Sequence, residues 1–270
     1  MFQHFSMEEK GNVVRVDRSK DDRYIAKVTV FDASGEKHRI TVPLRVPKTC
    51  TKLLDAVLEE NEKYLPRVIV KEVWFEGETA KLFGEVHITV GYDFYVRHMK
   101  RFEKPLGRNV AGIDVNSDRL NLAILRPDGT LAETKTFWFR EITARGFPKR
   151  KAWSIIGMKI HELLRYAYHH GVSVVALENP EVLGYLKFAW IKNGDRKHRN
   201  WNWKVATFRN SIIERIASKA PLYGLNVKFV NPKGTTNSKE HDEIMRKYGL
   251  DRHSASAVVI AMRVIQNGRK

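Results

Sequence analysis

The feature that most constrains this chain is the stretch NVAGIDVNSDRLNLAIL, residues 109–125. It sets one carboxylate, Asp114, among side chains suited to a protein interior. A buried unpaired charge is costly, so Asp114 requires a structural partner or a metal ion. The residues after it are equally restrictive. The strand VAGIDV leads through Asn116 and Ser117 to LNLAIL, and RPDGT supplies an Asp128-Gly129 turn into a third strand, AETKTFWF. Three such strands in succession form an antiparallel meander.

A helix is predicted from about Pro148 to His169, where Trp153, Ile156, Ile160, Leu163, Leu164 and Ala167 recur at helical spacing before Gly171. VSVVALENP is a continuous apolar run, as expected of a central parallel strand covered on both faces. A second amphipathic helix carries Val205, Phe208, Ile212, Ile213 and Ile216, and the strand LNVKFVNP comes next. After a polar connection, a last helix aligns Ala255, Val258, Met262 and Ile265. The order βββαβαβα over residues 110–270 is that of an α/β, RNase H-like domain.

Upstream, GNVVRV, RYIAKVTVFD and HRITVPLRV alternate apolar and polar residues, TKLLDAVLEENEKYL reads as a helix, and strands resume in RVIVKEVWF and AKLFGEVHITVGYDFYV. Residues 1–96 are therefore expected to form a small β-barrel with one inserted helix at about 51–65. Residues 97–109 are basic, carry Pro105 and Gly107 and lack apolar periodicity, which predicts an inter-domain linker.

Charge narrows the partner. The chain has 270 residues, with 48 Lys and Arg against 31 Asp and Glu and a formal charge of +17, the balance expected of a protein that meets phosphate backbones. Cys50 is the single cysteine, so neither an intramolecular disulfide nor a cysteine-based zinc site can form. The N-terminus lacks a basic n-region and an apolar h-region, and no run approaches the ~18 apolar residues of a membrane span. The expected protein is soluble, cytoplasmic and free of membrane partners.

Asp114 ends the first strand of the α/β domain and Glu178 the fourth. A helical crossover makes those strands parallel, and open α/β sheets bind ligands at the carboxyl ends of their strands, so the two acids should converge at one rim. Paired carboxylates there suit Mg²⁺, and two ions about 3.5–4 Å apart can stabilise the attacking and leaving oxygens of phosphodiester hydrolysis.

GIDVN, ALENP and LDRHSASAVVIAMR resemble the three RuvC-type motifs of the TnpB nucleases, the OrfB proteins of insertion sequences, and more distantly of type V CRISPR effectors. The likeness covers residues 110 to about 266, and the upstream strands resemble that family's wedge domain. It implies a metal-dependent endonuclease using Mg²⁺ or Mn²⁺ in a two-metal site, with Asp114 and Glu178 as catalytic metal ligands. Where the family's third motif carries its acid, counted from Ile260, this chain has His253, and Asp251 stands two residues earlier. Either could complete the site: Asp251 as an N-cap free to bend inward, or His253 as a ligand better suited to Mn²⁺ or as a proton carrier.

The family's four-cysteine zinc element is absent, and His241, alone among acids, reads as a solvated surface residue, so no zinc is expected. The inserted helical bundle that serves guide recognition is also absent, which makes a guide RNA an unexpected partner. Nucleic acid, DNA foremost, is the expected one. Lys187, Lys192, Arg196, Lys197, Arg199 and Lys204 interleave with Phe188, Trp190, Trp201 and Trp203 just after Glu178, combining cations for phosphates with rings for bases. Lys149, Arg150 and Lys151 oppose a helix macrodipole, which favours a ligand-facing role. Arg97, Lys100 and Arg101 form a third basic cluster. A nuclease-inactive nucleic-acid binder derived from the same family is the alternative. A sugar kinase or actin-like ATPase would need glycine-rich phosphate turns, and DVNS has none.

Overall fold

The computed structural model describes residues 14–31, 34–77, 79–181, 196–236 and 238–268; the side chains of residues 79, 80 and 196–206 lie outside the description. The chain divides into two compact units, Met1–Met99 and Lys100–Lys270.

In the first unit, β1 (Val14–Arg18), β2 (Tyr24–Phe31) and β3 (Lys37–Pro43) form an antiparallel sheet in that order. Among the described residues, β4 (Tyr64–Glu76) and β5 (Thr79–Val90) pair only with each other. No closed barrel is present among the described residues, which corrects the expectation. Closure requires every strand to hold two neighbours. The ribbon instead leaves Val73, Trp74, Phe75, Leu82 and Phe83 exposed, and β3 is exposed on both faces, so the alternating sequence does not mark a closed interior. The Val16 N–H donates to the Tyr64 hydroxyl at 2.8 Å, one polar tie between sheet and ribbon.

The inserted helix, α1, spans Lys48–Glu59 rather than about 51–65, because Asn61 adopts a φ of 49° that a helix cannot continue through. Tyr92–Met99 is helix α2, where residues 92–96 were expected to continue a strand, and it buries Phe94 with Ala56 and Val57 of α1.

The second unit holds a five-stranded mixed sheet in an α/β arrangement. Its strands are β6 (Asn109–Val115), β7 (Arg119–Leu125), β8 (Leu131–Trp138), β9 (Val172–Glu178) and β10 (Asn226–Val230), in the order β10-β9-β6-β7-β8. β6 and β9 are adjacent and parallel, as are β9 and β10, whereas β6-β7-β8 is an antiparallel meander. Helix α3 (Lys149–His169) makes the crossover from β8 to β9, and α4 (Arg196–Lys219) that from β9 to β10. Then come α5 (Lys239–Tyr248) and α6 (Arg252–Asn267).

From Val110 on, every residue of β6 is buried, and from Leu120 on every residue of β7, as strands covered on both faces require. Gly112 shows how closely α6 packs. A Cβ there would lie 2.0 Å from the Ala257 carbonyl oxygen and 2.7 Å from the Ala261 backbone nitrogen. Glycine in the strand and alanines in the helix let backbone meet backbone, and that contact carries the first turn of α6 to the C-terminal end of β6.

Helix α5 stands where a polar connection was expected. The Ser238 hydroxyl caps it by accepting the His241 N–H at 3.2 Å, and Gly249 ends it at a φ of 62°. His241 is not a solvated surface residue: it is 1% exposed, and its Nε2 donates to the Arg252 carbonyl at 2.9 Å, tying α5 to the start of α6.

The segment read as a linker is divided between the units. Arg97 belongs to α2, whereas the Arg101 N–H donates to the Leu222 carbonyl at 2.7 Å and Phe102 stacks on Tyr168 with ring centroids 3.8 Å apart.

Candidate active site

The parallel register of β6 and β9 runs through Ile113 opposite Leu177. Asp114 and Glu178 are therefore neighbours at the carboxyl ends of two central strands. Each is only 5% exposed, so each needs compensation from nearby polar groups.

For Asp114, the Asn116 side-chain amide donates to Oδ2 at 2.7 Å, and His253 Nδ1 donates to the same oxygen at 3.0 Å. For Glu178, the Thr235 hydroxyl donates to Oε1 at 2.7 Å. The remaining oxygens face a shared cation. Arg209 Nη2 lies 3.3 Å from Glu178 Oε2 and 3.9 Å from Asp114 Oδ1, while its Nε donates to the Val115 carbonyl at 2.6 Å. Burial pushes the Glu178 carboxyl above its usual range, and the charge of Asp114 adds to the push; Arg209 and the Thr235 hydroxyl pull it only part of the way back.

The two candidates for a third member do different things. Asp251 is the N-cap of α6: its carboxylate accepts the His253 N–H at 2.8 Å, the Ser254 N–H at 3.1 Å and the Ser254 hydroxyl at 2.8 Å. Burial alone would raise Asp251, but these donors outweigh it and hold the carboxyl below its usual range. His253, one turn into the helix, reaches Asp114. Because a carboxylate only accepts, Nδ1 is the nitrogen that carries the proton in this contact, and Nε2 is the ring nitrogen not engaged by Asp114.

Among the described residues, no three His, Cys, Asp or Glu side chains are gathered as a metal-holding cluster. The donor chemistry of the pair nonetheless fits a cation. Two buried carboxylates turn one oxygen each toward a common positive group, and Arg209 Nη2 is the stand-in.

The expected nucleic-acid contacts fall in several places. Lys187, Lys192, Phe188 and Trp190 lie outside the described residues, and Arg196, Lys197, Arg199, Trp201, Trp203 and Lys204 lie in α4 with undescribed side chains. Lys149, Arg150 and Lys151 are exposed in the first turn of α3, which starts from the end of the sheet that carries Asp114. Arg97 pairs with Glu60 at 3.1 Å, and Lys100 with Glu103 at 3.6 Å. Arg101 rests over the Tyr223 ring at 5.5 Å, and it and Lys100 precede β6 at the opposite end of the sheet from Asp114.

A basic feature not expected from the sequence stands at the carboxylate end. Trp138, at the end of β8, is paired in register with Arg119 at the start of β7. The Arg119 guanidinium lies 4.6 Å from the indole centroid and that of Arg140 3.6 Å. The strand register brings Arg119 to Trp138, and Arg140 follows Trp138 two residues on. Once AETKTFWF is recognised as a strand, the cross-strand position of Arg119 is the signal that could have found them.

Fold and site thus define an α/β domain with a polar site at the carboxyl ends of adjacent parallel strands. By sequence, the chain belongs to the family of an Aeropyrum pernix protein described as uncharacterized: the two are 48% identical over 262 residues, which cover 97% of this chain and 70% of the relative. A second uncharacterized Aeropyrum pernix protein is also 48% identical, with 62% of its length covered, and one from Saccharolobus solfataricus is 37% identical over 179 residues, 47% of its length. The chain therefore spans only part of each relative. No family model matches.

Among solved structures, T. thermophilus RuvC in complex with a Holliday junction substrate aligns at a TM-score of 0.41 and 16% identity, covering 60% of this chain and 95% of that one. A Cas12f1–sgRNA–target DNA complex aligns at 0.47 and 14%, covering 92% of this chain and 61% of that one.

Proposed function

We propose that the second unit is an RNase H-like, RuvC-type domain and that the chain is a TnpB-like, metal-dependent nucleic-acid phosphodiesterase of insertion-sequence origin, acting on DNA. The observation that carries this reading is the Asp114–Glu178 pair, buried side by side at the ends of parallel strands with one oxygen of each turned to a shared cation.

In this reading Asp114 and Glu178 hold Mg²⁺ or Mn²⁺, which when bound acts as a Lewis acid toward the phosphate oxygens. Asn116 fixes the rotamer of Asp114, and Thr235 that of Glu178. His253, oriented through its Nδ1–H bond to Asp114, keeps Nε2 to take a proton from the attacking water. Asp251 is consumed as a cap and contributes by positioning the turn that carries His253. The phosphate backbone lies along the rim, toward the cations of the α3 start and the Arg119–Trp138–Arg140 group.

The role of Asp251 as a cap also favours a second reading, a binder with the same fold and no third acid. One experiment separates the two. Labelled single-stranded, duplex and branched DNA are incubated with Mg²⁺ or Mn²⁺ and either wild type or Asp114→Asn. An enzyme loses cleavage by about 10²-fold or more in the variant while still binding DNA. A wild type that binds every substrate and cuts none overturns the enzymatic reading.

A further inference from the structure

Arg209 takes no part in the chemistry assigned to Asp114, Glu178 and His253, yet it makes the most specific contact at the site. One guanidinium nitrogen bridges two carboxylates that are each 5% exposed, while Nε is anchored on the carbonyl of Val115, next to Asp114 in β6. The anchor matters. It fixes the base of the fork at the strand end, so Nη2 is presented to the carboxylate gap by a hydrogen bond that does not depend on either acid. Two adjacent buried carboxylates repel unless a positive group stands between them. A divalent ion held by these two carboxylates would compete with this guanidinium, which occupies Asp114 Oδ1 and Glu178 Oε2.

We propose that Arg209 is the resident cation of the Asp114–Glu178 site. In the metal-free chain it fills the position of a divalent ion, and metal enters only by displacing Nη2. The inference rests on the metal-dependent reading and adds to it a built-in competitor that sets how readily the site loads. Arg209 is thus a positioning residue whose removal strengthens metal binding, the reverse of what removing a ligand does. The metal-free protein, in turn, depends on Arg209 for stability, because Arg209 is the guanidinium that bridges the two carboxylates.

The test is a titration of the full chain with Mn²⁺, read by electron paramagnetic resonance and by thermal unfolding. Wild type, Arg209→Gln, Arg209→Lys and the double variant Arg209→Gln/Asp114→Asn are compared. Arg209→Gln is expected to bind Mn²⁺ at least tenfold more tightly than wild type, to melt lower without metal, and to recover most of that loss at saturating Mn²⁺. The double variant should lose the tight site. Arg209→Lys keeps the charge but not the fork that reaches Val115 and the acids together, so it should bind more tightly than wild type and less tightly than Arg209→Gln. Should Arg209→Gln fail to fold, the lysine variant alone decides. Binding that requires Asp114 but is no tighter in either Arg209 variant overturns the inference and leaves the metal-dependent reading standing. Binding absent from all variants, or indifferent to Asp114→Asn, overturns that reading and the inference with it.

Discussion

Asp251 and His253 stand two residues apart and divide the work of one helix start. Residues so spaced do not share a helix face, and the cap resolves the conflict by leaving Asp251 outside the helix and His253 inside it. Removing the cap therefore acts twice. Asp251→Ala should cost about 1 kcal/mol of stability, as lost N-caps do, and should loosen the turn that holds His253 on Asp114. The sign with pH comes from the carboxyl being held below its usual range in the folded chain. Its contribution is fully present above the ordinary aspartate value and is lost as pH falls through the lower folded one. The difference in unfolding free energy between wild type and Asp251→Ala should thus be largest near neutral pH and shrink in acid, measured by denaturant titration. A difference that grows on acidification would remove the capping explanation. Sequence placed both residues at the start of the last helix and left their roles open, because only the helix's first turn decides which side chain faces the strand.

At the scale of elements, the second unit was legible because its signals are local and strong: continuous apolar runs for β6, β7 and β9, a helical stripe for α3, and a turn at Asp128-Gly129. The adjacency of the Asp114 and Glu178 strands followed from the crossover between them. The features that escaped the sequence depend on contacts between segments distant along the chain. Alternation over residues 14–90 does not reveal that β4 and β5 form a two-stranded ribbon of their own among the described residues. Helix α5 was hidden by its polar composition, although Ser238, Gly249 and the spacing of Ile244, Met245 and Tyr248 marked it. Arg209 could not be found at all, since its reach to the rim depends on where α4 lies.

The contact of β6 with α6 is the element-level feature the site depends on most, and Gly112 tests it. A methyl group at this position meets backbone that cannot rotate away, so Gly112→Ala should destabilise by about 2 kcal/mol or more and push α6 off the sheet. His253 would move with it. The imidazole resonance of His253, followed by NMR, should lose its sensitivity to Asp114→Asn in the Gly112→Ala background. A variant as stable as wild type would mean that the helix does not press on the strand as closely as the structure has it.

For the whole molecule, an excess of 17 positive charges supplies attraction to any polyanion, and attraction alone selects nothing. What matters is where fixed cations meet the site. Arg119 and Arg140 are held against the exposed indole of Trp138 at the same end of the sheet as Asp114, a preorganised pair rather than two mobile side chains. If the strand crosses this end of the sheet, each arginine neutralises a phosphate and releases its condensed counter-ions, which fixes the dependence of affinity on salt. Arg119→Ala and Arg140→Ala should each weaken single-stranded DNA binding at low salt, and together they should lower the slope of log K against log salt by about 1 to 2. Lys100→Ala, at the opposite end of the sheet, serves as the control for loss of charge as such. Equal slopes in the double arginine variant and wild type would place the strand elsewhere, and a similar fall in Lys100→Ala would mean that charge number, not position, governs binding.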